Sequence, residues 1–408
     1  MPAVAHALLR AASTIVSTPG RWFTGMSQAK PNIVLIVADS LRADRLGCYG
    51  YRGETSPYLD SLAAAGALGE SFFASSIPEF SSFASLLSGV HPIGHEILSN
   101  ETKAEFPGEF PFAQEIFIKS GYTTCGISSL RQARGWFGRG LEYSINAALL
   151  HARPEDVTAQ ELNAHALLWI RGHLNEPFFL FLHYREPRAA LLNGGDYDEA
   201  VRAVDAGVRE LIAGIDNLRL APRTLIAVTS DRGVSLSEHG IARESKGLYD
   251  STLRIPFLAR WPGRIAPGTR IKGMWQAEDI APTLFEAVEM EVPSSMDGPR
   301  FWKQLTGETP VEDSGAGRDR VISLDCTSGC AWSVRTNKYK LIVSEGTGRE
   351  LYDLTVDPDE DRNIASQQPQ VAAELENELQ SWVARRIDEL YRYESPFREG
   401  IVPLTATP

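Results

Sequence analysis

The stretch Pro31-Asn-Ile-Val-Leu-Ile-Val-Ala-Asp39-Ser-Leu-Arg42-Ala-Asp44 places a run of apolar, mostly β-branched residues directly before an aspartate. Such a run is typical of a strand buried on both faces of a mainly parallel sheet, and these sheets bind ligands beyond the carboxyl ends of their strands. A second run, residues 225–228, is followed closely by Asp231. Two carboxylates at strand ends suit a cation, so both aspartates are candidate metal ligands. The next residue, Arg232, cannot coordinate a metal ion and repels one.

Strand-like and helix-like segments alternate along the chain, as a doubly wound α/β domain requires. Apolar runs predict strands over 33–38, 123–127, 178–183, 225–229 and 255–260. Helical spacing predicts helices over 58–65, 83–87, 112–119, 159–171 and 198–218. Beyond about Gly307, shorter strands are predicted over 321–324, 331–334, 339–343 and 351–354, followed by a helix over 371–390. We therefore expect an α/β fold with a large mixed, mainly parallel sheet flanked by helices, and a small C-terminal antiparallel sheet with one helix.

Three segments are expected from this change in pattern: an N-terminal extension over 1–30, a large α/β domain over 31–307 and a C-terminal α+β subdomain over 308–408. The N-terminal segment has no apolar stretch long enough to span a bilayer and lacks a convincing signal-peptide core. Weak contact with a membrane surface is the one membrane interaction that its pattern allows.

Charge and cysteine content exclude several classes of protein. Forty basic against fifty-two acidic residues give a formal net charge of -12, which weighs against a nucleic-acid partner. The four cysteines are too few and too scattered for a disulfide framework, and Cys326 and Cys330 lack the spacing of a zinc site. We expect a reducing compartment and hence a cytoplasmic location, with export as the alternative.

Several separate blocks occur in the order of one known family. They are the opening stretch, Thr55-Ser-Pro57, Ala84-Ser-Leu-Leu-Ser-Gly89, Thr229-Ser-Asp231-Arg-Gly233, Lys246-Gly-Leu-Tyr249, Arg254-Ile-Pro-Phe257 and Leu351-Tyr-Asp-Leu354. Together they resemble the sulfatase family of the alkaline phosphatase superfamily, especially its arylsulfatase-like and phosphonate monoester hydrolase-like branches, over residues 31–384. The resemblance implies an ancestral activity that cleaves sulfate or phosphate esters with one bound divalent cation.

The resemblance also assigns roles to residues and exposes departures. Asp39 and Asp231 match metal carboxylates of the family, whereas Arg232 stands where the family has asparagine or histidine. The nucleophile position, ten residues before Gly89, holds Glu79 instead of cysteine, serine or threonine, at the expected start of a helix.

Other expected contacts with the ester are partly kept. Arg188 replaces a histidine expected to contact the ester, while Lys246 is retained and would point at an anionic oxygen. His239 is retained as well, although a lone histidine in a turn is more often structural. Ser81 or Ser82 would be a displaced nucleophile if the site were active.

Three functional hypotheses follow, with Glu79, Arg188 and Lys246 as candidate catalytic residues. In the first, Arg232 fills the metal cavity and pairs with Glu79 and the two aspartates, with Arg42 as a further candidate cation. The protein is then catalytically impaired, needs no cofactor and binds an anionic ester ligand or a partner protein. In the second, it is an active hydrolase or transferase of sulfate, phosphate or phosphonate esters, with calcium, magnesium or manganese held by the three carboxylates. In the third, it is a purely structural subunit.

Overall fold

The central strand of the large sheet is the run that precedes Asp39. In a computed structural model that describes residues 30–101, 105–130, 135–308, 317–344, 346 and 348–392, Asn32–Ala38 form β1, and every residue of the strand is buried. Side chains alternate between the two faces of a strand. Accordingly, Ile33, Leu35 and Val37 pack in one hydrophobic core. Their neighbours along β1 pack in a second core on the opposite face.

The described strands and α-helices have these bounds. The strands are β1 (Asn32–Ala38), β2 (Ala67–Phe73), β3 (Thr123–Ser128), β4 (Tyr143–Asn146), β5 (Phe178–Tyr184), β6 (Thr224–Thr229), β7 (Arg254–Ile255), β8 (Phe257–Arg260), β9 (Thr269–Gln276), β10 (Val321–Asp325), β11 (Ala331–Arg335), β12 (Tyr339–Ser344) and β13 (Gly348–Asp353). The helices are α1 (Pro57–Ala65), α2 (Glu79–Ser88), α3 (Pro92–His95), α4 (Ala113–Lys119), α5 (Ala159–Gly172), α6 (Glu186–Asn193), α7 (Tyr197–Asn217), α8 (Asp250–Leu253), α9 (Ile280–Ala287), α10 (Trp302–Leu305) and α11 (Pro369–Arg392).

The large sheet has nine strands in the order β4-β3-β5-β1-β6-β8-β2-β7, with β9 also paired to β2. β1 pairs in parallel with β5 on one side and with β6 on the other. β8 is antiparallel to both β6 and β2. The prediction of a mixed, mainly parallel sheet flanked by helices is therefore confirmed.

The small sheet is antiparallel, in the order β10-β11-β12-β13. Leu375, Leu379 and Val383 of α11 pack with Leu341 and Leu351 of this sheet in a third core. The predicted C-terminal sheet with one covering helix is confirmed. The described residues from Pro31 onward form one compact unit, and the boundary between 307 and 308 stays a prediction.

Two local expectations need correction. The predicted strand over 255–260 is split into β7 and β8 at Pro256, which has no N–H to donate to a neighbouring strand. Cys326 and Cys330 form a disulfide that the cysteine count did not reveal. The pairing depends on the short loop between β10 and β11, which brings the two thiols together, rather than on their spacing alone.

Two further points concern the ends of the chain and membranes. The expected extension over 1–30 lies outside the described residues except for Lys30. Among the helices that the structure describes, none combines the length and apolar character needed to cross a bilayer.

Candidate functional site

The candidate site lies where three adjacent parallel strands end. In the register of the sheet, Val37 of β1 is opposite His183 of β5 and Thr229 of β6, so the three carboxyl ends are level. Asp39 follows β1, and Asp231 follows β6 by two residues. This shared edge brings together two side chains that are 192 positions apart in the sequence.

Asp39 and Asp231 share one cation, the guanidinium of Arg232. Arg232 Nη1 pairs with Asp231 Oδ2, and Arg232 Nη2 lies 3.2 Å from Asp39 Oδ1. Both carboxylates have no exposed side-chain surface, and the side chain of Arg232 is 3% exposed. The predicted placement of Arg232 between the two aspartates is therefore present in the structure.

Ser40 bonds to the same pair of aspartates through its backbone and its side chain. The N–H of Ser40 donates to Asp231 Oδ1 at 3.1 Å, and the hydroxyl of Ser40 donates to Asp39 Oδ1 at 2.8 Å. Ser40 reaches both because its backbone has φ 65°, in the left-handed region that few residues other than glycine adopt. The next residue after Arg232, Gly233, lies close to the backbone of Ser251. A Cβ added to Gly233 would lie 2.3 Å from the carbonyl oxygen of Ser251.

Two site residues at the end of β5 were missed by sequence reasoning. Arg185 Nε lies 3.4 Å from Asp39 Oδ2, so Asp39 contacts two guanidiniums. His183 is fully buried, and neither of its ring nitrogens has a hydrogen-bond partner among the described residues. Position directly after an apolar run, the signal that identified Asp39, also marks Arg185.

Glu79 begins α2, as expected, but its predicted ion pair with Arg232 is not among the contacts of the described residues. Glu79 Oε1 is buried and has no hydrogen-bond partner in the described part of the chain. Ligand atoms of Asp39, Glu79 and His183 lie within 4.8 Å of one another. Glu79 therefore reaches the site without closing the ion-pair cluster, a correction to the first hypothesis.

The remaining candidate cations take different places. Arg188 in α6 is half-buried, and its charge acts on both Asp39 and Glu79. Lys246 is exposed and lines a pocket of about 340 Å³ whose lining does not include Asp39, Glu79 or Asp231. Arg42 is not part of the cluster: it pairs with Asp44 at 2.6 Å and with Glu238 at 2.7 Å.

The two serines considered as nucleophiles are poorly placed for that role. The hydroxyl of Ser82 donates to the carbonyl of Ser76 at 2.5 Å. Ser81 is fully buried, and its hydroxyl contacts no base among the described residues. A serine nucleophile needs a neighbouring base or a comparable activating group, and neither hydroxyl has one here.

Burial and the neighbouring arginines shift the pKa values of the three carboxyl groups in different directions. Burial opposes ionisation of Asp39, but the charges of Arg232 and Arg185 reverse this and hold its pKa well below the usual range. Burial raises the pKa of Asp231 to about 7, with Asp39 and Glu79 adding to the effect. Burial and the nearby Asp39 likewise raise the pKa of Glu79. The three carboxyl groups at this end of the sheet therefore differ in how readily they ionise.

The site does not fit a divalent cation at the Asp39–Asp231 position. The guanidinium already contacts Asp39 Oδ1 and Asp231 Oδ2, and Arg185 contacts the other oxygen of Asp39. A divalent ion about 4 Å from a guanidinium is repelled by about 8 kcal/mol at an effective dielectric constant of 20. In addition, Arg185, Arg188 and Arg232 match the three carboxylates in number, so a cation would add two uncompensated charges.

Comparisons with known proteins agree with this architecture. Residues 31–290 match the family described as Sulfatase, and residues 237–386 match the C-terminal region described for N-sulphoglucosamine sulphohydrolase. Arylsulfatase A of Homo sapiens is 26% identical over 83% of this chain and 84% of its own length. The N-acetylgalactosamine-6-O-sulfatase of Bacteroides thetaiotaomicron is 22% identical over 88% of this chain and 94% of its own length.

Solved structures show the same fold. The phosphonate monoester hydrolase of Agrobacterium radiobacter superposes with a TM-score of 0.75 at 18% identity, covering 92% of this chain and 99% of its own. A 2-O GAG sulfatase superposes with a TM-score of 0.77 at 20% identity, covering 90% of this chain and 94% of its own.

Proposed function

Since this chain belongs to the sulfatase family, we propose that it is a member in which an internal guanidinium has replaced the metal ion. Ester cleavage is then impaired, and the pocket binds an anion. The observation that carries the proposal is the bonding of one buried side chain, Arg232, to both Asp39 and Asp231. A cation bound at this position in an active relative would polarise the ester oxygens. A guanidinium locked in two ion pairs has little freedom to do so.

The other catalytic roles are also poorly filled. Glu79 would be repelled by an anionic ester that it had to attack, and its pKa is raised by burial rather than lowered. Arg188 keeps affinity for an anion but does not release a proton at neutral pH, so it cannot serve as the acid for a leaving group. Binding is therefore better supported than turnover.

Anion binding is supported by the clustering of positive groups. Arg185, Arg188 and Arg232 meet at one strand edge, and Lys246 lies at its rim through Ser245, whose hydroxyl is 3.4 Å from that of Ser40. A partner protein that presents an acidic group is the alternative occupant within the same proposal.

A second candidate function rests on one observation, the approach of ligand atoms of Asp39, Glu79 and His183 to within 4.8 Å. These residue types can hold a divalent ion. The protein would then be an active metal-dependent hydrolase or transferase of sulfate, phosphate or phosphonate esters with an altered site.

Metal analysis and activity assays separate the two. Purified wild-type protein is loaded with calcium, magnesium or manganese, freed of excess ion and analysed, then assayed on aryl sulfate, phosphate and phosphonate esters. We expect the purified protein to retain no stoichiometric ion. We also expect no ester turnover in the wild type that is lost in the Asp39→Ala variant. Stoichiometric metal together with turnover that is lost in Asp39→Ala would overturn the proposal in favour of the second candidate.

A cytoplasmic location is also proposed, from the cysteine count and the N-terminal pattern. The disulfide between Cys326 and Cys330 favours export instead, because disulfides persist mainly in oxidising compartments. Fractionation of the producing cells, with thiol alkylation before lysis, decides between the two: recovery in the cytosolic fraction supports the proposal, and recovery outside it with both cysteines unalkylated contradicts it.

A further inference from the structure

The disulfide between Cys326 and Cys330 lies at the surface, in the loop that joins β10 to β11. Cys330 is exposed and Cys326 is half-buried. Cys330 also lines the pocket of about 340 Å³ that Lys246 lines, so an attacking group has room to approach it. Exposed disulfides are more easily reduced than protected structural ones and include the labile and regulatory examples. The position of this bond therefore favours exchange with a thiol.

The hairpin does not need the bond to hold the two cysteines near each other. Asp325 and Ala331, on either side of the loop, are paired in the ladder between β10 and β11. The disulfide joins residues only four positions apart in the sequence. Stabilisation by a cross-link grows with the length of the loop that it closes, so a loop this short gains little. The hairpin therefore keeps the two cysteines opposite each other in both oxidation states.

One buried carboxylate connects the disulfide loop to the segment that carries Lys246. Asp325 is 5% exposed, and its Oδ1 accepts hydrogen bonds from the N–H of Thr327 at 3.0 Å and from the Thr327 hydroxyl at 2.7 Å. Asp325 Oδ2 accepts from the N–H of Gly247 at 2.9 Å. Thr327 lies inside the loop that the disulfide closes. Opening the bond frees Thr327 to leave Asp325, and so loosens the carboxylate that holds Gly247.

We propose that Cys326 and Cys330 form a thiol–disulfide exchange site for a dithiol, and that their oxidation state controls how firmly segment 245–247 is held. The inference goes beyond the proposed function and requires neither an empty nor a filled metal site. It concerns a bond that lies outside the cluster of Asp39, Asp231 and Arg232.

The exchange proceeds in two steps. A thiolate of the dithiol attacks Cys330 Sγ, the S–S bond breaks, and Cys326 leaves as a thiolate that takes a proton from solvent. The second thiol of the dithiol then loses its proton and attacks its own sulfur partner in the mixed disulfide, which releases Cys330 as a thiol. Two electrons and two protons pass to the protein, and the dithiol becomes a disulfide.

A dithiol suits this site better than a monothiol because the hairpin returns Cys326 to the mixed disulfide. Cys326 stays opposite Cys330 at a high effective concentration, so it attacks again and expels a monothiol. The second thiol of a dithiol competes with this reversal because it is also tethered. We expect dithiothreitol to reduce the bond at least roughly tenfold faster than glutathione at equal thiol concentration.

Reduction of the folded, full-length protein tests the exchange site. Air-oxidised protein is treated with dithiothreitol or glutathione without denaturant, and free thiols are labelled with a maleimide and located by mass spectrometry. We expect Cys326 and Cys330 to be labelled only after dithiothreitol, the circular dichroism to stay native, and oxidised dithiothreitol to restore the bond. Cys48→Ser is the matched control, because Cys48 is a free cysteine and its removal should leave the reaction unchanged.

Hydrogen exchange on a peptide that contains Gly247 tests the link to the Lys246 segment. Reduction should speed exchange of the Gly247 amide by roughly tenfold, the effect of losing a hydrogen bond to a charged group. A peptide from β1 should not change. Oxidised Asp325→Asn should already exchange faster at Gly247 and respond little to reduction. Asp319→Asn, at an exposed position just before β10, should behave as the wild type does.

Other results overturn the proposal. A bond that resists dithiothreitol in the folded protein, or that is reduced only as the native circular dichroism is lost, is structural. Labelling of both cysteines without reductant would show that the bond does not form. Equal rates with glutathione contradict the choice of a dithiol, and unchanged exchange at Gly247 in reduced protein contradicts the link. None of these results depends on metal content or ester turnover, so this inference and the proposed function can fail separately.

Discussion

Replacing Arg232 by methionine is the most informative single change. The methionine side chain has a similar length but no charge, so the change removes the shared cation and leaves the packing volume largely in place. Asp39 and Asp231 then remain fully buried, and Arg185, with its Nε 3.4 Å from Asp39, is the nearest described compensating charge.

The expected loss follows from leaving a buried charge without its partner. Breaking a buried ion pair by removing one member costs about 3 to 5 kcal/mol. Unfolding entropy is about 2.1 cal/mol/K per residue, which for 408 residues converts that loss into a fall in Tm of about 4 to 6 °C. The loss should shrink at acidic pH. The depressed pKa of Asp39 stabilises the folded wild type above the ordinary pKa of an aspartate, and this contribution disappears as pH falls.

Thermal and denaturant unfolding of wild type, Arg232→Met and Arg42→Met form the assay. Arg42 is a matched control because its side chain is only 5% exposed, while its partners Asp44 and Glu238 are 48% and 34% exposed and can be solvated when it is removed. We expect Arg42→Met to lose about 1 to 2 kcal/mol. Calcium should raise the Tm of Arg232→Met alone, since only that variant frees the two aspartates for a cation.

The reasoning is refuted if Arg232→Met unfolds at the wild-type temperature, or if it loses no more stability than Arg42→Met. Calcium stabilisation of the wild type to the same extent as of Arg232→Met would also refute it, because the guanidinium would then not be excluding the ion.

Three other changes are expected to have measurable effects. Burial lowers the pKa of His91 and of His95 to about 3, so these histidines take up protons in the unfolded chain at a higher pH than in the folded protein. The free energy of unfolding should therefore drop by about 1.4 kcal/mol per histidine between pH 7.5 and 5.5, as measured by denaturant titration. Lys340 is fully buried with its Nζ 2.7 Å from each of two carboxylates, so Lys340→Met should lose about 3 to 5 kcal/mol in the same assay. Gly233→Ala should lose about 1 to 3 kcal/mol and lower the Tm, because the new Cβ meets a backbone oxygen at 2.3 Å.

Matched variants show what would contradict each of these. His95→Gln should remove about half of the acid sensitivity attributed to the two histidines; an unchanged pH profile would reject their role. Lys338→Met, on a residue that is exposed, should change the free energy of unfolding by less than about 0.5 kcal/mol. Gly172→Ala should be tolerated, because an added Cβ there meets nothing within 4 Å. Equal losses in a variant and its control would show that the named contact is not the cause.

Much of the fold could be predicted because its central strands are buried on both faces and therefore read as continuous apolar runs. β1, β3, β5 and β6 were predicted to within one or two residues. β2 (Ala67–Phe73), β4 (Tyr143–Asn146) and β9 (Thr269–Gln276) were missed, because each mixes polar residues or glycine with apolar ones. Such strands are specified by pairing with neighbours that are distant in sequence, which a local pattern does not record.

The candidate site could be predicted only where a residue sits at a recognisable strand end or motif. Asp39, Asp231 and Glu79 carry such a signal, and the structure brings them to one edge of the sheet. Arg185 carries the same strand-end signal but was not selected, and His183 was missed because its proximity to Asp39 depends on the register between β1 and β5. Arg42 was considered as a further cation of the cluster, yet it pairs with Asp44 and Glu238 instead.

The most direct test of the central claim is anomalous diffraction from crystals of the wild-type protein grown with manganese. The account predicts no manganese peak between Asp39 and Asp231, and electron density for the guanidinium of Arg232 in contact with both carboxylates. A manganese peak ligated by these aspartates, with the arginine side chain turned away from them, would contradict it.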